Sequence, residues 1–122
     1  MISPPHFLSL DTLTPTDMEA LFTRTRHHKR AREQGIHSRP LAGKTLALLF
    51  EKPSLRTRVS FEVAARELSG DSLYLSPQEV GLGTRESIAD VARVLSSYVH
   101  VVALRTSAFL ELSCCVTILI LP

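Results

Sequence analysis

The sequence has little cysteine and little net charge. Only two of its 122 residues are cysteines, and these are adjacent, at Cys114 and Cys115. Neighbouring cysteines do not easily form an unstrained bridge, so a disulfide framework is excluded and a reducing compartment, the cytoplasm, is expected. The formal net charge is +2, from 14 Lys and Arg against 12 Asp and Glu. Because binding along a nucleic acid depends on neutralising many phosphates, this balance does not favour a nucleic-acid partner.

The sequence also lacks an export signal and a long apolar run. Its first ten residues, MISPPHFLSL, have no basic start and are interrupted by two prolines, so no secretion signal is predicted. The most apolar stretch, residues 108–121, is shorter than the ~20 residues of a membrane-spanning helix and contains Glu111 and Thr117. We therefore expect no membrane segment. The length of the chain fits one domain and leaves no room for a second of similar size.

The sequence does contain an alternation of helical and strand patterns. A first helix is predicted from the Thr14 cap to about Gln34, and Gly35 stands where a helix C-terminal glycine belongs. The later elements are a strand at 45–50, a helix from Leu55 to Gly70, a strand at 73–75, a polar loop at 76–86, a helix opened by Ser87 and Asp90, and a strand at 99–105. This order predicts an α/β fold, a parallel sheet flanked by helices.

Apolar residues at helical spacing predict which side of each helix is buried. In the first helix they are Met18, Leu21 and Phe22; in the second, Val59, Val63, Ala64 and Leu68; in the third, Ile88, Val91, Ala92, Leu95 and Tyr98.

The first helix carries a basic run from Arg24 to Arg32. No aromatic residue is interleaved, and cations near a helix C-terminus are favourable, so we interpret the run as a solvated face; polyanion binding is the alternative. His27 and His28 point to different sides of a helix, and no third ligand follows at metal spacing. No metal site is predicted.

The turn after the first strand concentrates cations and hydroxyl groups at a helix N-terminus. It reads EKPSLRTR over residues 51–58. Ligands of open α/β sheets bind beyond the carboxyl ends of the strands, and the free N–H groups of a helix N-terminus attract anions. An ordinary helix start, with Ser54 as cap and Arg56 and Arg58 in solvent, is the alternative. Because cations in the first turn oppose the helix dipole, we favour a phosphate or carboxylate site.

The segment FEKPSLRTRVSFE, at 50–62, resembles the carbamoyl-phosphate loop of the aspartate and ornithine carbamoyltransferases, whose signature is Ser-Thr-Arg-Thr-Arg. Three further segments resemble the family and follow in the family's order: LYLSPQ at 73–78, ESIADVARVLS at 86–96 and Arg105-Thr106 after an apolar strand. The resemblance runs from about residue 8 to 106. Within the family, Lys52 and the string ARVLS at 92–96 are similar to the ornithine enzymes.

The resemblance implies a carbamoyl-phosphate site and a catalytic residue. The groups that would hold the substrate are the side chains of Ser54, Arg56 and Thr57 and backbone N–H groups, including that of Leu55; Arg105 would reach both the phosphate and the carbamoyl oxygen. The implied reaction is attack of the neutral δ-amine of ornithine on the carbamoyl carbon, which yields citrulline and phosphate without a cofactor. Without the resemblance, Arg105 is an ordinary surface charge at a strand end.

Two positions depart from the family pattern. Leu55 stands where the family has Thr, so one hydroxyl donor to the phosphate is lost, and a hydrogen bond to a charged group is typically worth about 1.5–3 kcal/mol. Gly81 stands where relatives often have a Gln or His that reaches the site of a neighbouring subunit, and we do not count it as functional. The resemblance implies a homotrimer for the full-length family.

The last residues, SAFLELSCCVTILILP at 107–122, do not resemble the continuation of the family. We expect a carbamoyl-phosphate-binding domain at 1–106, a divergent apolar tail at 107–122 that forms a buried strand or helix, and no ornithine-binding domain. Cys114 and Cys115 lack a basic neighbour and are expected to be inert.

The functional expectation is an ornithine carbamoyltransferase fragment, of the urea cycle and arginine biosynthesis, that binds carbamoyl phosphate at most. The alternatives are a non-catalytic assembly or regulatory fragment that pairs with full-length subunits, and a domain of the aspartate type.

Overall fold

The computed structural model describes residues 6–81, 85, 87–105 and 116–120, with the backbone alone for Pro77, Ile88 and 116–120. A short 3-10 helix at Leu10–Thr12 precedes the main elements. These are α1 (Pro15–Glu33), β1 (Thr45–Phe50), α2 (Leu55–Glu67), β2 (Asp71–Leu75), α3 (Pro77–Val80), α4 (Ile88–Tyr98), β3 (Val101–Arg105) and β4 (Val116–Ile120).

The strands form one sheet in the order β2-β1-β3-β4. β1 pairs in parallel with β2 and with β3, so that Leu46 lies opposite Ser72 on one side and Val101 on the other. The predicted α/β fold with a parallel sheet is confirmed for these three strands. β4 pairs antiparallel with β3 and lies in the segment that was expected to be an apolar tail.

The core surrounds β1, because its apolar run is covered on both faces of the sheet. Leu48 and Phe50 are completely buried. They share one cluster with Leu46, Ala65 and Ala103, whereas Ala47, Val99 and Val102 form a second cluster. Successive side chains of a strand point to opposite faces, so β1 contributes to both clusters. Burying each large side chain stabilises the fold by about 1.5–3 kcal/mol.

The buried face of α2 differs from the prediction. Ala65 is buried and Phe61 packs against the core, whereas Val59 and Val63 are 46% and 40% exposed and Ala64 is also exposed. Of the predicted residues only Leu68 is half-buried. The larger apolar side chain of Phe61 faces the sheet together with Ala65, one turn later, and this orientation turns the two valines outward.

The end of α2 also differs from the prediction, which placed it at Gly70. The helix ends at Glu67, and the residue with positive φ is Ser69, at 66°. Gly70 is required by close approach instead, because a Cβ atom there would lie 2.8 Å from the Cβ of Leu41. β2 then begins at Asp71, two residues earlier than expected.

The buried face of α4 also differs in part from the prediction. Val91 is buried and Leu95 is half-buried, but Ala92 is exposed and Tyr98 is 74% exposed. The helix ends at Tyr98, and the residue that follows it, Val99, is buried instead of Tyr98, with only 4% of its surface exposed.

Three further predictions need correction. β3 begins at Val101 instead of 99, because His100 is taken up by hydrogen bonds with Thr45. The expected polar loop contains the single turn of α3. In α1, Phe22 is 57% exposed although it belongs to the predicted apolar stripe.

Candidate functional site

The carboxyl ends of β1 and β3 lie side by side at one edge of the sheet. Phe50 is paired with Arg105, and the N–H group of Glu51 donates to the carbonyl of Arg105 at 2.8 Å. The Arg105 guanidinium in turn donates to the carbonyl of Pro53, at a long 3.4 Å. The residue at the end of β3 is therefore brought beside the loop that enters α2.

The N-terminus of α2 has no side-chain cap. Ser54 occupies the cap position, with φ −152° and ψ 89°, but its hydroxyl forms no capping hydrogen bond. The Ser54 Oγ lies 2.9 Å from the Thr57 Oγ1, to which it donates. The interpretation of Ser54 as an ordinary side-chain cap is therefore wrong, because the hydroxyl is directed to the other predicted ligand residue.

The N-termini of α1 and α4 are closed by their own side chains. In α1 the carboxylate of Asp17 accepts from the N–H of Thr14 at 3.0 Å, and the Thr14 hydroxyl accepts from the N–H of Asp17 at 3.2 Å. In α4 the Ser87 hydroxyl accepts from the N–H of Asp90 at 3.1 Å. No acidic residue stands in the first turn of α2. Of these helices, α2 therefore retains the positive end that can attract an external anion.

The two arginines of the first α2 turns have different surroundings. Arg58 forms an ion pair with Glu62, 2.8 Å from Nε to Oε1, and its Cζ lies 3.9 Å from the ring centroid of Tyr74. Arg56 is exposed, and among the described residues no carboxylate pairs with its guanidinium. The alternative interpretation, an ordinary helix start with both arginines in solvent, agrees with the exposure of Arg56 and is wrong for Arg58.

The remaining predicted residues lie on the same turn. Ser54 and Thr57 are half-buried, whereas the Leu55 side chain is 77% exposed and Lys52 is exposed at the start of the loop. The structure thus brings the five predicted site residues, Ser54, Leu55, Arg56, Thr57 and Arg105, to one edge of the sheet. No signal in the sequence predicts the contact of Tyr74 with this turn, because a tyrosine at this position is also typical of an ordinary strand.

The basic run of α1 lies apart from this edge. Its charged side chains are exposed, and Arg32 pairs with Glu67 of α2 at 3.0 Å. A cleft of about 370 Å³ between the two helices is lined partly by these two residues and by His28 and His37. In the described part of the chain, no three metal-ligating side chains are grouped, and no helix is both long and apolar enough to cross a membrane.

An open α/β sheet with an uncapped, cationic helix N-terminus at its carboxyl edge defines a domain of the anion-binding class. Residues 5–118 match the family model described as the carbamoyl-phosphate-binding domain of aspartate/ornithine carbamoyltransferases. The chain therefore belongs to the aspartate/ornithine carbamoyltransferase family. The match extends beyond residue 106, where the sequence had suggested a domain boundary.

The relatives are named as ornithine carbamoyltransferases. That of Agrobacterium fabrum is 48% identical over 116 residues, which are 93% of this chain and 38% of the relative. That of Rhizobium meliloti is 49% identical over 102 residues, which are 84% of this chain and 34% of the relative. The chain thus spans less than two fifths of the length of these relatives.

Solved structures agree with the family. Ornithine carbamoyltransferase from Pyrococcus furiosus superposes with a TM-score of 0.82 at 42% identity, covering 86% of this chain and 34% of that one. The catalytic subunit of M. jannaschii aspartate transcarbamoylase superposes with a TM-score of 0.75 at 27% identity, covering 83% and 33%. The expected fold is confirmed as that of the amino-terminal part of these enzymes.

Proposed function

We propose that this chain supplies the carbamoyl-phosphate-binding part of an ornithine carbamoyltransferase. The observation that carries the proposal is the uncapped N-terminus of α2, with Arg105 beside it and with the guanidinium of Arg56 on it, which pairs with no carboxylate in the described part of the chain. The ornithine type is supported over the aspartate type by the names of the relatives at 48% and 49% identity, compared with 27% for the aspartate transcarbamoylase subunit.

In this proposal the phosphate of carbamoyl phosphate lies against the first turn of α2. Ser54 and Thr57 donate through their hydroxyls, Leu55 through its backbone N–H, and Arg56 through its guanidinium. Arg105 contacts the phosphate and the carbamoyl oxygen. When the δ-amine of ornithine attacks the carbamoyl carbon, negative charge grows on this oxygen and on the leaving phosphate, and fixed cations stabilise both.

The residues that bind ornithine belong, in the proposal, to the part of the relatives that this chain does not span. In the proposal, residues 1–106 form the carbamoyl-phosphate-binding domain, and 107–122 are a divergent tail that contributes β4 to its sheet. The chain by itself binds carbamoyl phosphate and forms no citrulline; formation of citrulline by the purified chain would contradict this point. The proposal places the complete enzyme in the cytoplasm and in arginine biosynthesis.

Assembly with further copies, as in the implied homotrimer, is supported by exposed apolar residues on α2. Leu55, Val59 and Val63 are spaced by four and are 77%, 46% and 40% exposed, so they form a stripe along the helix. Contiguous exposed apolar residues are typical of interaction surfaces. The proposal expects a mass above that of the monomer in light scattering after gel filtration, and a monomer for Val63→Lys.

A non-catalytic role, in which the stripe pairs with full-length subunits, is the alternative and predicts co-purification with such a subunit.

The anion site is tested by calorimetric titration with carbamoyl phosphate and with inorganic phosphate. Arg56→Ala removes a charged hydrogen-bond donor, which is worth about 1.5–3 kcal/mol, so the dissociation constant is expected to rise about 10- to 100-fold. Arg24→Ala, an exposed cation of α1, is the matched control and leaves the affinity unchanged. Equal affinities of the wild type and Arg56→Ala would remove Arg56 from the site.

A further inference from the structure

Arg58 lies in the family's signature loop but is held by contacts inside the protein. Its Nε donates to Glu62 Oε1 at 2.8 Å, and its guanidinium carbon lies 3.9 Å from the centroid of the Tyr74 ring. The Arg58 side chain is 43% exposed, so these contacts are partly screened from water. A guanidinium engaged by a carboxylate and an aromatic face has fewer donors left for an external anion.

The Tyr74 ring joins this pair to the core. It packs edge-to-face against Phe50, with centroids 6.1 Å apart and planes at 82°. Phe50 is completely buried at the end of β1, immediately before the loop that enters α2. The contacts therefore run without a break from the core, through β2, to the second turn of α2.

The backbone of Arg58 completes the connection to the phosphate-binding turn. Its N–H group donates to the carbonyl of Ser54 at 2.9 Å, the first hydrogen bond of α2. Ser54 in turn donates through its hydroxyl to Thr57. A displacement of Arg58 would thus move the helix start at which both hydroxyls are held.

We propose that Arg58, Tyr74 and Glu62 form a clamp that positions the first turn of α2 for the phosphate, and that Arg58 is a positioning residue and no ligand. This inference rests on the proposed function for its effect on affinity. The clamp itself does not, because it also predicts how firmly the helix start is held when no ligand is present. Arg56 and Arg58 thereby divide two tasks, binding and positioning.

The clamp requires the aromatic face of Tyr74 and does not require its hydroxyl. Tyr74→Phe keeps the ring and is expected to behave as the wild type. Tyr74→Leu removes the ring, and the loss of a partly exposed cation–π contact is expected to raise the ratio of displaced to ordered turn about two- to fivefold. Since only the ordered turn binds, the dissociation constant for carbamoyl phosphate rises by up to the same factor.

The first test is amide hydrogen exchange of the ligand-free chain, followed by NMR. The clamp predicts that Tyr74→Leu speeds exchange at the Arg58 amide about two- to fivefold and that Tyr74→Phe does not. Val91→Ala, a core truncation on α4, controls for a general loss of stability. Arg58→Met removes the guanidinium from a half-exposed side chain and gives the same readout if Tyr74→Leu does not fold. Unchanged Arg58 exchange in the folded variants would overturn the clamp.

The second test is calorimetric titration of the same variants with carbamoyl phosphate. The clamp predicts weaker binding for Tyr74→Leu, wild-type binding for Tyr74→Phe, and wild-type binding for Val91→Ala. If Tyr74→Leu binds as the wild type does, the positioning role is wrong. If the wild type itself does not bind carbamoyl phosphate, the proposed function fails, whereas the exchange experiment still decides whether the clamp exists.

Discussion

The helices α1 and α2 begin in opposite ways. In α1, Thr14 and Asp17 form a reciprocal capping box, and the carboxylate meets the positive end of the helix within the protein. In α2, Ser54 occupies the cap position without capping, and the first turn carries a cation in place of an acid. Both helices begin with N–H groups that have no partner within the helix, but of the two only α1 supplies a side-chain partner itself.

The difference shows how stability and binding compete for one helix end. A capping side chain typically contributes about 0.5–2 kcal/mol, which α2 forgoes. The cationic residue Arg56 adds an unfavourable interaction with the dipole. A bound anion would satisfy the N–H groups and the cation together. The start of α2, whose N–H groups have no side-chain cap, is therefore the one suited to binding an anion.

The largest expected effect comes from converting α2 to the α1 arrangement. Thr57→Glu places a carboxylate three residues after Ser54, which is the spacing of a capping box. We expect the free energy of unfolding to rise by about 0.5–1 kcal/mol, because the new carboxylate accepts hydrogen bonds at the helix start. We expect phosphate binding to disappear, because the same carboxylate occupies the phosphate position and repels the anion. Urea denaturation and calorimetric titration measure the two effects. Thr25→Glu, within α1, is the control, and retained binding by Thr57→Glu would show that the anion lies elsewhere.

A smaller change sharpens the α2 site. Leu55→Thr introduces the hydroxyl that the family signature has at this position, and a donor to a charged phosphate is worth about 1.5–3 kcal/mol. We expect the dissociation constant for carbamoyl phosphate to fall about tenfold. Val59→Thr is the control, because it also replaces an exposed aliphatic side chain by threonine but lies one turn further along α2, away from the helix start. An equal gain in both variants would assign the effect to surface polarity instead of the site.

The next change opens the α1 end. Asp17→Asn weakens a buried capping box, and we expect the free energy of unfolding to fall by about 1 kcal/mol. No phosphate binding should appear at α1, because its first turn has no cation. Glu19→Gln, an exposed neighbour, should change stability by less than about 0.5 kcal/mol. Urea denaturation distinguishes the two, and equal losses would contradict the role given to the Asp17 carboxylate.

The smallest effect concerns the single turn of α3. The Ser76 side chain, and after it the Ser76 backbone, hydrogen-bond the carboxylate of Glu79 and lower its pKa from the ordinary value of 4.5. Because the folded pKa is lowered, the stabilisation is present above pH 4.5 and is lost as the pH falls through the folded pKa. Ser76→Ala should raise the pKa of Glu79 towards its ordinary value in an NMR titration, and an unchanged midpoint would exclude the hydroxyl as the cause.

The sequence was informative where local chemistry decides the structure. The apolar run of β1 and the capping residues of α1 and α4 depend on neighbours within a few positions, and these predictions were correct. The cations and hydroxyl groups of the loop at 51–58 already predicted an anion site there, the resemblance specified carbamoyl phosphate, and the assignment of this site stays a prediction. The buried side of α2 was wrong because Val59 and Val63 have the right spacing, and only the tertiary fit of Phe61 decides which side meets the sheet. The different surroundings of Arg56 and Arg58 likewise could not be predicted, because they depend on Tyr74, which lies on β2.

The pairing of β1 with β3 has a consequence for the order in which the domain can fold. The loop before α2 meets Arg105 across 52 positions of sequence, a longer closure than the one that joins β1 to β2. Such distant contacts carry the larger entropic cost and tend to form late. A site divided between these two segments would exist only in the fully folded domain, so carbamoyl phosphate should select completed molecules and slow their unfolding.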